Sequence, residues 1–320
     1  MTPRNTNPKI QDLEAVFRRL PKKYASEEVV FGSSVVDIDP NSHVQGVALA
    51  GRSIIFTHSD AQCESGLYML GEGGNVVARV RLPAARTSPP FLNHCGGCQR
   101  LGDYLVIPNE AIFNPLSRIS FFDISDPYNP TLLASPSIDR PRKTGAAGIA
   151  NVIMDGVEYW FLALYDNGHV DYYKSDGTPF PNTRFSPVFG EGTDVTNGYQ
   201  SFCLVADSDE RLFAMGFRLD ALFRDWVDVH EVDLGTGQLR PFASRHFVTN
   251  GARTVHFRWG TGIDIASANQ LLLISTGQLF TRFNFAPLED VPARAELERI
   301  AASVDMAGGP RCNVNFFPSK

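Results

Sequence analysis

The chain is predicted to be all-β, a single β-propeller of five blades with six as the alternative. Three observations predict it. A phrase recurs about every fifty residues: an anchoring His, aromatic or Gly, two variable residues, a small residue, then an apolar run. It spans His43–Gly46, His94–Gly97, Gly145–Gly148, Tyr199–Phe202 and Trp259–Gly262, and its last positions stand 51, 51, 54 and 60 residues apart. Such a period marks solenoids and propellers. A second apolar run follows each copy: Ile54–Thr57, Tyr104–Ile107, Tyr159–Leu164, Leu212–Met215 and Leu271–Ile274. These runs lack helical spacing and are bounded by Gly, Asn and Asp, so they read as buried strands. Hairpin signals then complete four strands per repeat, the content of a propeller blade.

In chain order, Ile10, Leu13, Val16, Phe17 and Leu20 have helical spacing, so residues 1–26 read as a short helical extension and 27–320 as the propeller. Glu28–Phe31 and Val35–Ile38 are strand-like and can supply an outer strand to the last blade, joining the two chain ends. Gly66–Leu70 turns at Gly71–Gly74 into Val76–Val80, and Arg118–Phe122 turns at Ser125–Pro130 into Thr131–Leu133. His169–Tyr173 turns at Ser175–Gly177, and Val227–Val232 turns at Gly235–Gly237. The fifth copy departs from the pattern. After Phe280–Phe285, residues 291–302 predict a helical insertion with Pro292 near its first turn, before Asn313–Phe317.

Composition narrows the function. The 320 residues are 43% apolar, with 27 Gly and 21 Pro, as short strands and many turns require. A net charge of −6 offers no basic face, which excludes nucleic acid as a partner. No run approaches the roughly 18 apolar residues of a membrane span, and no apolar signal core follows the polar start, so no membrane partner is expected and the location is cytoplasmic unless a leader was removed. Five cysteines cannot all pair within the chain. Cys95 and Cys98 form a lone Cys-x-x-Cys that reads first as buried strand thiols, with redox or metal chemistry as the other reading. The Gly-rich pieces lack the strand–Gly–helix context of a phosphate loop, so no nucleotide cofactor is indicated, and no Gly-x-Ser-x-Gly elbow occurs.

Propellers present ligands around the central channel. Overlaying the repeats brings His43, His94, Gly145, Tyr199 and Trp259 to the start of the inner strands, and Asp60, Glu110, Asp166, Arg218 and Gln278 just past the second strands. Both sets converge on one mouth. About ten mouth positions should hold about 0.2 of a His by composition, yet they hold His43 and His94 at one slot, with His58 two residues from Asp60. Imidazole and carboxylate serve as general acid and base or hold a divalent metal. His43, His94, Asp60, Glu110 and Asp166 are therefore the expected catalytic groups, with His43, His94 and Glu110 the candidate ligands for Zn, Mn, Fe, Ni or Ca. Gln45, His58, Tyr165, Tyr199, Gln200, Arg218 and Trp259 are the expected substrate contacts, Arg218 either as an anion clamp or as an ion-pair partner of Asp166 or Glu110. His169, His230, His246 and His256 are assigned to surface or packing.

Arg118–Pro130, which ends Asp-Ile-Ser-Asp-Pro-Tyr-Asn-Pro, resembles the outer-strand phrase of LVIVD-type propeller repeats. That resemblance implies a propeller and carries no single reaction. The five-copy count is also similar to five-bladed glycosidases, whose three acidic residues ring the channel; Asp60, Glu110 and Asp166 imitate that ring from second-strand ends instead of first-strand starts. The expected function is a small-molecule enzyme acting at the channel mouth, possible chemistries being hydrolase, lyase or oxidoreductase. The alternatives are a non-catalytic binding scaffold and a glycosidase-like carboxylate site. Oligomeric state is left open.

Overall fold

The computed structural model describes residues 9–22, 27–30, 43–51, 53–59, 65–70, 76–82, 92, 94–111, 113–248, 256–276 and 311–318. Helix α1 (Leu13–Arg19) starts at Asp12, whose side chain accepts from the Ala15 N–H at 2.9 Å; Glu14 in its first turn and Arg18 and Arg19 in its last complement the helix dipole. Strand β1 (Glu27–Val30) follows, then β2 (His43–Ala50), β3 (Ser53–Ser59), β4 (Ser65–Leu70) and β5 (Val76–Arg81). Next come β6 (His94–Cys95), β7 (Gln99–Leu101), β8 (Tyr104–Glu110), β9 (Ser117–Asp123) and β10 (Thr131–Arg140). The third set is β11 (Ala146–Met154), β12 (Val157–Asp166), β13 (His169–Ser175) and β14 (Phe185–Asp194). The fourth is β15 (Ser201–Ala206), β16 (Leu212–Leu219), β17 (Asp225–Val232) and β18 (Leu239–Phe247), and β19 (Thr261–Ser267), β20 (Gln270–Thr276) and β21 (Arg311–Pro318) end the chain.

The fold is all-β, a single propeller of antiparallel meanders. The described strands form four hydrogen-bonded sheets, which corrects the expectation of five or six. The reason is local. β19 pairs parallel with β2 at Thr261 and Gly46, fusing β1-β21-β20-β19 and β2-β3-β4-β5 into one eight-stranded sheet. Strand β1 runs antiparallel to β21, Glu27 opposite Val314. Among the described residues α1 is the one helix; the helical insertion expected over 291–302 lies outside them.

The small residue of each repeat answers to close approach between innermost strands. A Cβ on Gly262 would lie 2.0 Å from the Val47 carbonyl oxygen, and one on Gly148 would lie 2.8 Å from the Leu204 nitrogen. The fourth copy carries Phe202 instead, and its ring stacks on Tyr165 at 5.4 Å in the seam between the third and fourth sheets. On the axis, buried Gln99 accepts from the Ile149 and Leu204 N–H groups, both at 2.9 Å, and donates to the Leu204 carbonyl at 2.7 Å. Below it Arg100 meets Asp264 at 3.3 Å. Side chains thus bridge the inner strands across the axis.

The N-terminal segment crosses the far end of that axis. Ile10 donates to the Ala206 carbonyl, Gln11 to that of Ala268, and Ser208 donates back to Ile10. From there α1 sinks Leu13, Val16 and Phe17, with Leu20 beyond it, among Phe213, Phe247, Phe257 and Leu273. Each fully buried side chain of this kind contributes about 1.5 to 3 kcal/mol.

Candidate functional site

Strand pairing builds the mouth at the opposite end. His43 faces Ser59, His94 faces Glu110, Ala146 faces Tyr165, Ser201 faces Phe217 and Thr261 faces Ser275, so every inner strand begins where its neighbour ends. His43 and His94 open β2 and β6, and their ring centroids lie 5.6 Å apart. Between them, Gln45 Nε2 lies 2.5 Å from His43 Nε2 and 2.9 Å from His94 Nε2. An amide nitrogen has two N–H donors, so this arrangement assigns both Nε2 atoms as acceptors and puts each ring proton on Nδ1. Burial, then the neighbouring His94, lowers the His43 pKa below the usual imidazole value. Ser59 Oγ stands 3.2 Å from His43 Nε2.

Buried Glu110 connects this pair to the third sheet. Its Oε1 lies 3.3 Å from His94 Nδ1, within ion-pair distance but too poorly aligned for a hydrogen bond, since His94 Nδ1 is buried with no hydrogen-bond partner. Its Oε2 accepts from the Thr144 N–H at 2.9 Å. Asp166 ends β12. Burial first, then the charge of Glu110, raises the Asp166 carboxyl above the usual range, against the lowering pull of Lys143, Arg140 and His169. Two acids within electrostatic reach, one shifted up, form an arrangement that can divide acid and base roles.

The structure thus brings together His43, Gln45, His94 and Glu110, with Asp166 coupled to them. Asp60 and Gln278 lie outside the described residues. His58 is buried in β3, where its carbonyl accepts from Cys95 Sγ at 2.8 Å. Tyr165 is buried, and its hydroxyl accepts from the Gly168 and Tyr199 N–H groups at 2.9 and 2.8 Å. The Tyr199 hydroxyl lies 2.8 Å from His230 Nε2 and 3.2 Å from Asp228 Oδ2. Gln200 is exposed, and Trp259 is half-buried with the Arg258 guanidinium 5.1 Å from its ring centroid. Arg218 pairs with Asp228 at 2.7 Å, which corrects its expected pairing with Asp166 or Glu110: the partner stands on the adjacent strand β17.

Four polar positions emerge only in three dimensions. Thr144 holds Glu110, and Asn197, Asp228 and Ser244 surround Arg218 and Tyr199. Asp228 and His230 alternate on one face of β17, the single sequence signal that this face carries polar groups. His169 sits between Asp194, at 2.8 Å, and Asp171, at 3.3 Å; the Asp194 hydrogen bond raises its pKa. Arg140 also reaches Asp171. Cys95, Cys98 and Cys203 are buried, and burial pushes the Cys98 thiol up to about 12, far from a reactive thiolate. Among the described residues no group of three or more His, Cys, Asp or Glu side chains is placed to hold a metal.

No family model matches the chain, and no curated protein matches it. Solved structures do match. A GH62 hydrolase in complex with xylotriose aligns over 93% of this chain and 98% of its own, with a TM-score of 0.50 and 10% identity. The shared feature is the propeller fold. The catalytic domain of a Coprinopsis cinerea GH62 α-L-arabinofuranosidase aligns over 94% and 98%, with a TM-score of 0.48 and 11% identity. An α-L-arabinofuranosidase from Podospora anserina in complex with cellotriose aligns over 94% and 99%, with a TM-score of 0.48 and 9% identity. At these identities the likeness concerns the path of the chain.

Proposed function

We propose that this propeller is a hydrolase of glycosidic bonds acting at the mouth, with Asp166 as general acid and Glu110 as the second carboxyl of the pair. The observation that carries the reading is the coupled pair itself: Asp166 is raised by burial and by Glu110, the direction a general acid requires. Asp166 gives its proton to the leaving-group oxygen, and a water oxygen is added at the anomeric carbon. Glu110 acts either as base for that water or as nucleophile, and proton NMR of the first-formed anomer distinguishes the two. Gln45, His43 and His94 form the adjoining wall. The GH62 hydrolase with this fold was solved with xylotriose, which supports oligosaccharides as the class to screen first.

The test uses aryl and alkyl glycosides on wild type, Asp166→Asn and Glu110→Gln. Loss of an acid should lower kcat/KM by about 100-fold or more on alkyl glycosides and much less on nitrophenyl glycosides, whose leaving groups need no proton. Turnover of no glycoside, or equal losses on both classes for Asp166→Asn, would overturn the assignment.

A second reading rests on the convergence of two Nε2 atoms on Gln45 Nε2: with Gln45 displaced, His43 and His94 present two imidazole ligands. Stoichiometric metal in purified wild type that is lost in His43→Ala/His94→Ala would support it.

A further inference from the structure

Arg218 is held along one edge only. It lies at the mouth end of β16, next to Phe217, whose partner Ser201 opens β15. Its Nε donates to Asp228 Oδ2 at 2.7 Å, and its guanidinium carbon sits 5.2 Å from the centroid of the Trp226 ring. Asp228 is itself fixed by Asn197 at 3.0 Å, Ser244 at 2.5 Å and the Tyr199 hydroxyl at 3.2 Å. The carboxylate and the indole therefore set the plane of the guanidinium before any ligand arrives. Its two terminal nitrogens have no hydrogen-bond partner among the described residues. The side chain is only 21% exposed, so these donors are partly withdrawn from water with no acceptor among the described residues in return. The same wall touches the third sheet, because the Tyr199 N–H binds the hydroxyl of Tyr165.

We propose that Arg218 selects substrates carrying a carboxylate, so that the ligand is an acidic sugar; this rests on the hydrolase reading above. Two parallel N–H donors match the two oxygens of a carboxylate, whereas a neutral sugar offers them single hydroxyls. A phosphate is the poorer fit. Asp228 already stands on this guanidinium at 2.7 Å, and a second negative charge on the ligand adds to its repulsion.

Calorimetric titration of the intact protein with methyl glucuronide and methyl galacturonide, against methyl glucoside and methyl galactoside, tests this with probes that differ only in the carboxylate. At least one uronide should bind tenfold or more tightly than its neutral counterpart. Arg218→Gln should erase that preference, and Arg218→Lys, which keeps a cation beside Asp228, should retain a fraction of it. Equal binding of acidic and neutral sugars, binding of none of the four, or a preference that survives Arg218→Gln would overturn the proposal. The two readings fail separately. Asp166-dependent turnover of neutral glycosides without acid preference removes only the Arg218 assignment, and uronide binding without turnover of any glycoside removes only the hydrolase.

Discussion

Gln99 shows how much one side chain does on the axis: its amide satisfies two backbone N–H groups and one carbonyl from the third and fourth sheets. Gln99→Leu keeps the bulk and orphans all three, which should cost about 3 kcal/mol and lower Tm by roughly 5 to 10 °C in thermal melts. Proton linkage offers a second prediction. The folded-state pKa of His43 lies below its unfolded value, so its neutral form is favoured by folding; that contribution is present above the unfolded value near 6.5 and is lost as pH falls through the lowered one. Tm should therefore fall from pH 7 to pH 5 less steeply in His43→Gln than in wild type, and parallel curves would refute the assignment. Asp166 has the opposite sign. Its raised pKa favours the protonated form, and its stabilising contribution is lost as pH rises through that value. The mouth histidines were legible because repeats can be overlaid by counting. Gln99, Thr144 and Asp228 were not, because their partners sit on other sheets or on neighbouring strands at separations that no motif records.

At the level of elements, the repeat's small residue marks where neighbouring inner strands touch. Gly148 and Gly145 lie three residues apart in one repeat copy and should respond differently. A Cβ at Gly148 meets backbone atoms of Cys203 and Leu204 at 2.8 to 3.0 Å, which cannot rotate away, whereas a Cβ at Gly145 meets nothing closer than 3.8 Å. Gly148→Ala should destabilise by about 1 to 3 kcal/mol. Gly145→Ala should stay within about 0.5 kcal/mol by urea denaturation. The apolar runs and turn residues made these strands readable, and helical spacing from Ile10 to Leu20 revealed α1. What spacing did not reveal is its dock. Phe17 packs edge-on to Phe247 at 6.4 Å, and Phe17→Ala should cost about 3 to 5 kcal/mol.

Across the whole molecule, the chain ends meet in one sheet: β21 pairs with both β20 and β1, and β19 touches β2 through a single parallel register pair. A sequence period counts repeats, but hydrogen bonding counts sheets, and one close approach at Thr261 and Gly46 is enough to make the numbers differ. No residue pattern announces that contact, since Gly46 serves the same packing role in its own copy. Two truncations separate the ends' contributions. Removing residues 1–22 strips α1 and exposes the apolar surface around Phe213, Phe247 and Leu273, while leaving β1 on β21. Removing residues 1–30 also takes β1 and leaves β21 an open edge, the arrangement that invites pairing with another chain. Both forms should melt below the full chain. The longer truncation should melt lower still, lose the agreement between calorimetric and van't Hoff enthalpies, and aggregate with increasing concentration. If the two truncations melt alike and remain equally monodisperse by light scattering, β1 adds nothing to closure and the ring is held by the β19–β2 contact and side-chain packing alone.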